Sequence, residues 1–264
     1  MRLALRILLI GLTALATTRA EDNSPLKQWT VDGVTREALV YAPAQAMLEP
    51  TPVLFVFHGH GGTMAFVSSR TPFHQLWPGA IVVYPQGLNT PGQITDPNGT
   101  LPGWQKTVGD QGDRDLKFFD AMLASLRKDY MVDDKHIFVT GHSNGGAFTY
   151  LLWATRGDTL AAVAPTAAAA LRLLDQLKPK PAFILGGEND PLVKFVWQQN
   201  TINAVLAIDQ CGKGQPGARY CTNYSSPIDA PVTTYIHPGG HQFPAEAAPL
   251  IVKFFQDRMA PGAK

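Results

Sequence analysis

The chain has 264 residues, with 22 Lys and Arg against 21 Asp and Glu for a formal net charge of +1, and is 45% hydrophobic and 16% charged. That length suits one α/β domain around a single core. The balanced charge, with no long run of one sign, excludes a nucleic-acid partner, since phosphate binding needs clustered Lys and Arg.

The first residues, MRLALRILLIGLTALATTRAED, place Arg2 and Arg6 ahead of an apolar stretch and reach Thr18-Arg19-Ala20, so residues 1–20 read as an export signal. The apolar stretch from Ile7 to Ala16 falls well short of the roughly 20 residues that span a bilayer, so no stable membrane anchor is expected. Residues 21–264 are expected to form one domain, secreted or periplasmic.

WTVDGVTREALVYAP (29–43) alternates around Asp-Gly and predicts an antiparallel hairpin. VLFVFHG (53–59) and AIVVYPQG (80–87) are short apolar runs that end in turn residues, as strands buried on both faces do. Residues 89–112 are dense in Gly, Pro, Asn and Asp and predict a long loop. Asp113 or Asp115 is placed to cap the following helix, whose apolar face is Leu116, Phe119, Met122, Leu123 and Leu126. HIFVT (136–140) is the next strand. LAAVAPTAA and PAFILGG read as further strands, LVKFVWQQNTINAVLAID as a helix, VTTYIHPGG as a strand and EAAPLIVKFFQDRM as a closing helix. Strands alternating with helices predict a mostly parallel central sheet covered on both faces. Cys211 and Cys221 bracket the polar stretch CGKGQPGARYC, and in an exported chain they are expected to form a disulfide, worth roughly 2 to 3 kcal/mol by loop closure.

The chemistry concentrates at Gly141-His142-Ser143-Asn144-Gly145, a GxSxG between the strand HIFVT and the helix-compatible GAFTYLLWAT. A serine on a tight strand-to-helix turn presents its hydroxyl, but it needs a base and an orienting acid. Asp190, after PAFILGG, and His241, after VTTYIHPGG, follow in the order nucleophile, acid, base at the carboxyl ends of strands, where open α/β sheets bind ligands. Glu188 is the rival acid and His237 the rival base; His142 is poorly directed to serve as base. HGHGG (58–62) resembles a glycine-rich oxyanion loop, so the donors to a developing oxyanion are expected to be the N–H groups of His60 and Asn144, with the His58 imidazole bracing the loop. Trp104 is the candidate aromatic wall of the substrate cleft, with His142 and Gly59 as further substrate-contacting residues. The short connection from LAAVAP to PAFILGG leaves no room for a helical lid.

The blocks VDGVTREALVYAP, VFHGHGG, VVYPQG, GHSNGGAFTYLL, GGENDPLV and GGHQFP, in this order over about residues 29–256, resemble the secreted polyhydroxybutyrate depolymerase and feruloyl esterase group of α/β-hydrolases, which includes acetylxylan esterases. The resemblance implies an α/β-hydrolase fold without a large lid, a Ser143-Asp190-His241 triad, no metal and no organic cofactor. It implies an ester substrate, often polymeric: feruloyl or acetyl esters of plant polysaccharide, or alternatively a polyhydroxyalkanoate. An acyltransferase, a peptidase and a non-catalytic binding protein are lesser alternatives, and the oligomeric state is left open. His60 and Phe243 stand where many relatives carry Cys and Trp.

Overall fold

Asp32 and Gly33 both take positive φ, 50° and 77°, the left-handed pair that a two-residue hairpin turn of this hand requires. They fold β1 (Leu26–Val31) onto β2 (Val34–Tyr41), as the Asp-Gly signal predicts. The computed structural model describes residues 25–92 and 95–259, so the expected export signal lies outside the described residues.

After the hairpin come β3 (Thr51–Phe57), the short helices α1 (Met64–Arg70) and α2 (Phe73–Leu76), and β4 (Ile81–Pro85). A small ribbon, β5 (Leu88–Asn89) with β6 (Pro102–Gly103), gathers the ends of the predicted long loop. The order continues with α3 (Arg114–Asp129), β7 (Val132–His142), α4 (Asn144–Arg156), β8 (Ala162–Thr166), β9 (Ala182–Gly187), α5 (Phe195–Ile208), β10 (Gln215–Pro216), β11 (Cys221–Tyr224), β12 (Val232–His237) and α6 (Ala247–Asp257).

The main sheet runs β1-β2-β4-β3-β7-β8-β9-β12-β11-β10, and the six inner strands from β4 to β12 are parallel. Alternate residues of these strands face opposite sides. Phe55, Phe57 and Val139 pack with Phe119 and Met122 of α3, Leu151 and Trp153 of α4 and Val205 of α5. Leu54, Val56, Phe138 and Phe183 pack with Phe73, Trp77 and, from α6, Ile251 and Phe255. Each such side chain, fully buried, stabilises by roughly 1.5–3 kcal/mol relative to exposure, which explains why the parallel strands read as unbroken apolar runs. The arrangement is the expected α/β-hydrolase fold. Between β8 and β9 there is only a turn of 3-10 helix, Leu171–Gln176.

Two expectations are corrected, and the sheet has two strands that the sequence pattern did not mark. Neither Asp113 nor Asp115 caps α3 through its side chain: Asp113 accepts from the Gly109 N–H and from Gln105, and Asp115 is buried against Arg36. The Arg36 guanidinium, also buried, donates to Asp115 at 2.8 Å and to the carbonyls of Gln86 and Arg114, stitching β2 to the loop and to α3. The polar stretch after α5 contains a two-strand antiparallel extension of the sheet, β10 and β11. The expected disulfide is absent, and Cys211 and Cys221 are both free. Cys211 packs on the α3–α5 face of the sheet, whereas Cys221, in β11, packs on the α6 face. Burial pushes the Cys211 thiol up to about 11 and raises that of Cys221, so both stay protonated.

Asp209, just past α5, is wholly buried; one oxygen accepts from the Lys180 N–H at 3.1 Å, and Oδ2 has no partner among the described residues. Burial pushes its carboxyl up from 3.8 to about 7. The folded chain therefore holds this proton where the unfolded chain has released it, and stability falls as pH rises across that interval. Asp209→Asn is expected to raise the melting temperature more at about pH 8 than at about pH 5. Thermal denaturation at both pH values checks this, and equal shifts would contradict it.

Candidate active site

The three glycines around Ser143 answer to close backbone approach. A Cβ on Gly145 would run into the carbonyls of Phe57 and His58, one on Gly141 into the Gly145 carbonyl, and one on Gly146 would lie 2.6 Å from the Thr166 carbonyl oxygen. Without side chains there, the first turn of α4 lies directly against the ends of β3, β7 and β8. Ser143 takes up the sharp change of direction with φ 57° and ψ −117°, a conformation costly for any residue with a Cβ, held in part by its N–H donating to Thr166 at 2.9 Å.

The half-buried Ser143 hydroxyl lies 2.7 Å from His241 Nε2, and His241 Nδ1 lies 2.7 Å from Asp190 Oδ2. His241 stands in the loop after β12, and Asp190 in the loop after β9. The buried Asp190 carboxylate accepts from the N–H groups of Leu192 and Val193 on Oδ1 and from Gln198 Nε2 on Oδ2. Gln198 was not anticipated from sequence: a polar residue early in a helix carries no signal there. The rivals fall away. Glu188 is exposed, and His237 is buried with Nδ1 accepting from the Gly239 N–H.

His142 lies beside this line, its ring 5.0 Å from that of His241 and 6.1 Å from Phe243. The Thr166 hydroxyl donates to the Gly141 carbonyl, so it accepts from His142 Nδ1 at 3.1 Å. Burial, with a further contribution from His241, pushes the His142 imidazole down to about 4 and keeps it neutral.

Gly59 brings the 58–62 loop over Ser143: a Cβ there would sit 3.6 Å from that of Ser143. Within the loop, Gly61 N–H donates to Pro102 and Gly62 N–H to Gly59. Among the described residues the N–H groups of His60 and Asn144 have no backbone acceptor. His58 braces the loop as expected, donating from Nδ1 to the Gly59 carbonyl and accepting at Nε2 from the Gly87 N–H; burial pushes it down to about 4. The His60 ring is wedged between Gly92 and Gly103 and reaches Asp96 at 3.1 Å. Desolvation opposes ionisation of Asp96, but hydrogen bonds from Thr100, Leu101 and His60 outweigh it and hold the carboxyl at about 2.

Trp104 is corrected from cleft wall to anchor. Its side chain is fully buried, with Nε1 donating to the His58 carbonyl at 2.9 Å and the ring stacked on Phe148. A buried indole needs an acceptor for its N–H, and this one finds it at the start of the 58–62 loop. The Asn144 side chain grips the same residue twice, accepting from the Trp104 N–H at 2.7 Å and donating to its carbonyl at 2.9 Å. Among the described residues no group of three or more His, Cys, Asp or Glu is placed to hold a metal ion, and no helix is long and apolar enough to cross a membrane.

Residues 36–210 match the dienelactone hydrolase family. Feruloyl esterase C of Emericella nidulans is 28% identical over 218 residues, 76% of this chain and 73% of that protein. A bifunctional acetylxylan esterase/xylanase of Neocallimastix patriciarum is 28% identical over 166 residues, 62% of this chain but only 22% of that longer protein. Among solved structures, an acetyl xylan esterase from Aspergillus awamori superposes with a TM-score of 0.66 at 15% identity, covering 88% of this chain and 98% of its own. A ferulic acid esterase gives 0.58 at 15% identity, covering 87% and 97%.

The turn at Ser143 predicts a measurable strain. Ser143→Gly is expected to stabilise the fold by about 1 kcal/mol, the relief of the positive φ less the added freedom of the unfolded chain. Gly145→Ala is expected to destabilise by about 3 kcal/mol, because backbone must move to admit the methyl. Urea unfolding reads both, and a destabilised Ser143→Gly would contradict the strain.

Proposed function

The chain belongs to the dienelactone hydrolase family and is a carboxylic ester hydrolase, and we propose that it works through an acyl-enzyme on Ser143 with His241 as base and Asp190 as the orienting acid. The reading rests on the two 2.7 Å contacts that join the three side chains in a line. His241 Nε2 takes the Ser143 proton as Oγ attacks the ester carbonyl carbon. The tetrahedral oxyanion is held by the N–H groups of His60 and Asn144, each worth on the order of 10²- to 10³-fold in rate. As the carbon–oxygen bond breaks, His241 passes its proton to the leaving alcohol. Water then attacks the acyl-enzyme, His241 takes its proton, and the proton returns to Ser143 Oγ as the acid departs. Asp190 keeps Nδ1 protonated and steadies the imidazolium throughout.

For the substrate, feruloyl or acetyl esters of plant polysaccharide are favoured. Relatives named for both activities support this, as does a nucleophile with no helical lid between β8 and β9. The Arg-led apolar opening of residues 1–20 supports export, leaving residues 21–264 as one catalytic domain outside the cytoplasm.

Ser143→Ala is expected to keep the fold while hydrolysis of a p-nitrophenyl ester falls by about four to six orders of magnitude, and Asp190→Asn to lower kcat about 10⁴-fold. Labelling by a fluorophosphonate is expected at Ser143 alone; turnover by Ser143→Ala at the parent rate sinks the assignment. A rate panel with methyl ferulate, acetylated xylan and a soluble hydroxybutyrate oligomer reads the substrate, and preference for the last would assign a polyester instead.

A further inference from the structure

Gln198, on the first turn of α5, is buried. Its amide nitrogen has two hydrogens, and both are engaged: one on Asp190 Oδ2 at 3.1 Å, the other on the Val193 carbonyl at 2.5 Å. The opposite amide orientation would aim a carbonyl at a carboxylate and a second carbonyl, so the neighbours themselves fix which atom is nitrogen. Its own carbonyl is then left facing Gly186, where a Cβ would lie 2.7 Å away, and it has no hydrogen-bond partner among the described residues. A buried acceptor without a partner is destabilising, and an apolar side chain of this size would fill the space without that cost. What the glutamine supplies in return is one N–H, delivered to the oxygen that also meets His241.

We propose that Gln198 is a positioning residue for the catalytic acid: it fixes the plane of the Asp190 carboxylate and draws charge from Oδ2, the oxygen that faces the His241 imidazole. The proposal rests on the triad reading above. Leu192 and Val193 hold Oδ1 by their N–H groups; without Gln198 the oxygen facing the imidazole keeps only His241. The other titratable groups around the pair are His142 at the end of β7, His237 at the end of β12, Glu188 ahead of Asp190 and Glu246 ahead of α6. None of them hydrogen-bonds Asp190, and none is itself substituted in the Gln198 variants.

The test is the pH profile of kcat/KM for p-nitrophenyl acetate, with melting temperatures, for the full chain, Gln198→Leu and Gln198→Glu. For Gln198→Leu, kcat is expected to fall about 10- to 100-fold with KM within about twofold, while the melting temperature is unchanged or higher because the unpartnered carbonyl is gone. The acidic limb is expected to move to higher pH, since a carboxylate that shares its charge less stabilises the imidazolium more. Gln198→Glu is expected to move it further, because a second carboxylate favours the same cation. Gly186→Ala, which displaces the amide without altering it, is expected to move the limb in the same direction. An unmoved limb in all these proteins, or losses of activity matched by losses of folded protein, overturns the proposal. Ser143→Ala run alongside separates the two readings. Its full turnover would overturn the triad, whereas its inactivity with an unmoved limb in the Gln198 variants would overturn only the role of Gln198.

Discussion

The structure depends on one close contact, the first turn of α4 pressed against the carboxyl ends of β3, β7 and β8 with no side chain between. That contact forces Ser143 into its unusual backbone, turns its hydroxyl outward, and brings the N–H of Asn144 to the same side as the 58–62 loop. It works only because the parallel strands arrive in register, Phe57 beside Gly141 and His142 beside Thr166. Two later strands of the same sheet then deliver Asp190 and His241 at the same edge. Packing of the strands and geometry of the site are one constraint seen at two scales.

The long loop between β4 and α3 is tied down at three places. Trp104 is gripped by Asn144, Asp96 is joined to the wedged His60 ring, and the Gln105 N–H donates to Asp115 of α3, which itself holds Arg36 from the outer hairpin. Burial of the Arg36–Asp115 pair would be costly for either partner alone; the carbonyls of Gln86 and Arg114 take up two further guanidinium hydrogens. A segment with little periodic secondary structure is thus held by side-chain hydrogen bonds where it borders Ser143 and Asn144.

Much of this was legible in the residues. Unbroken apolar runs marked the inner strands, because strands covered on both faces need no polar alternation. Ser143, Asp190 and His241 stood out because each follows such a run at a turn, and the three side chains lie within hydrogen-bond reach of one another. Other features depend on contacts between segments far apart in the chain. Trp104 reads the same whether it faces solvent or, as here, donates to a carbonyl 46 positions away. Cys211 and Cys221 look paired by spacing, yet the edge of the sheet passes between them. Gln198 carries no mark at all until Asp190 is seen beside it. The strands β10 and β11 were hidden because two- and four-residue polar strands at an edge have no hydrophobic pattern.

The two thiols lie on opposite faces of that edge, and burial raises both, so each packs as a small apolar group in its own layer. No covalent cross-link contributes to the native state of the described residues. The native fold of these residues is held by the two apolar layers on either side of the sheet.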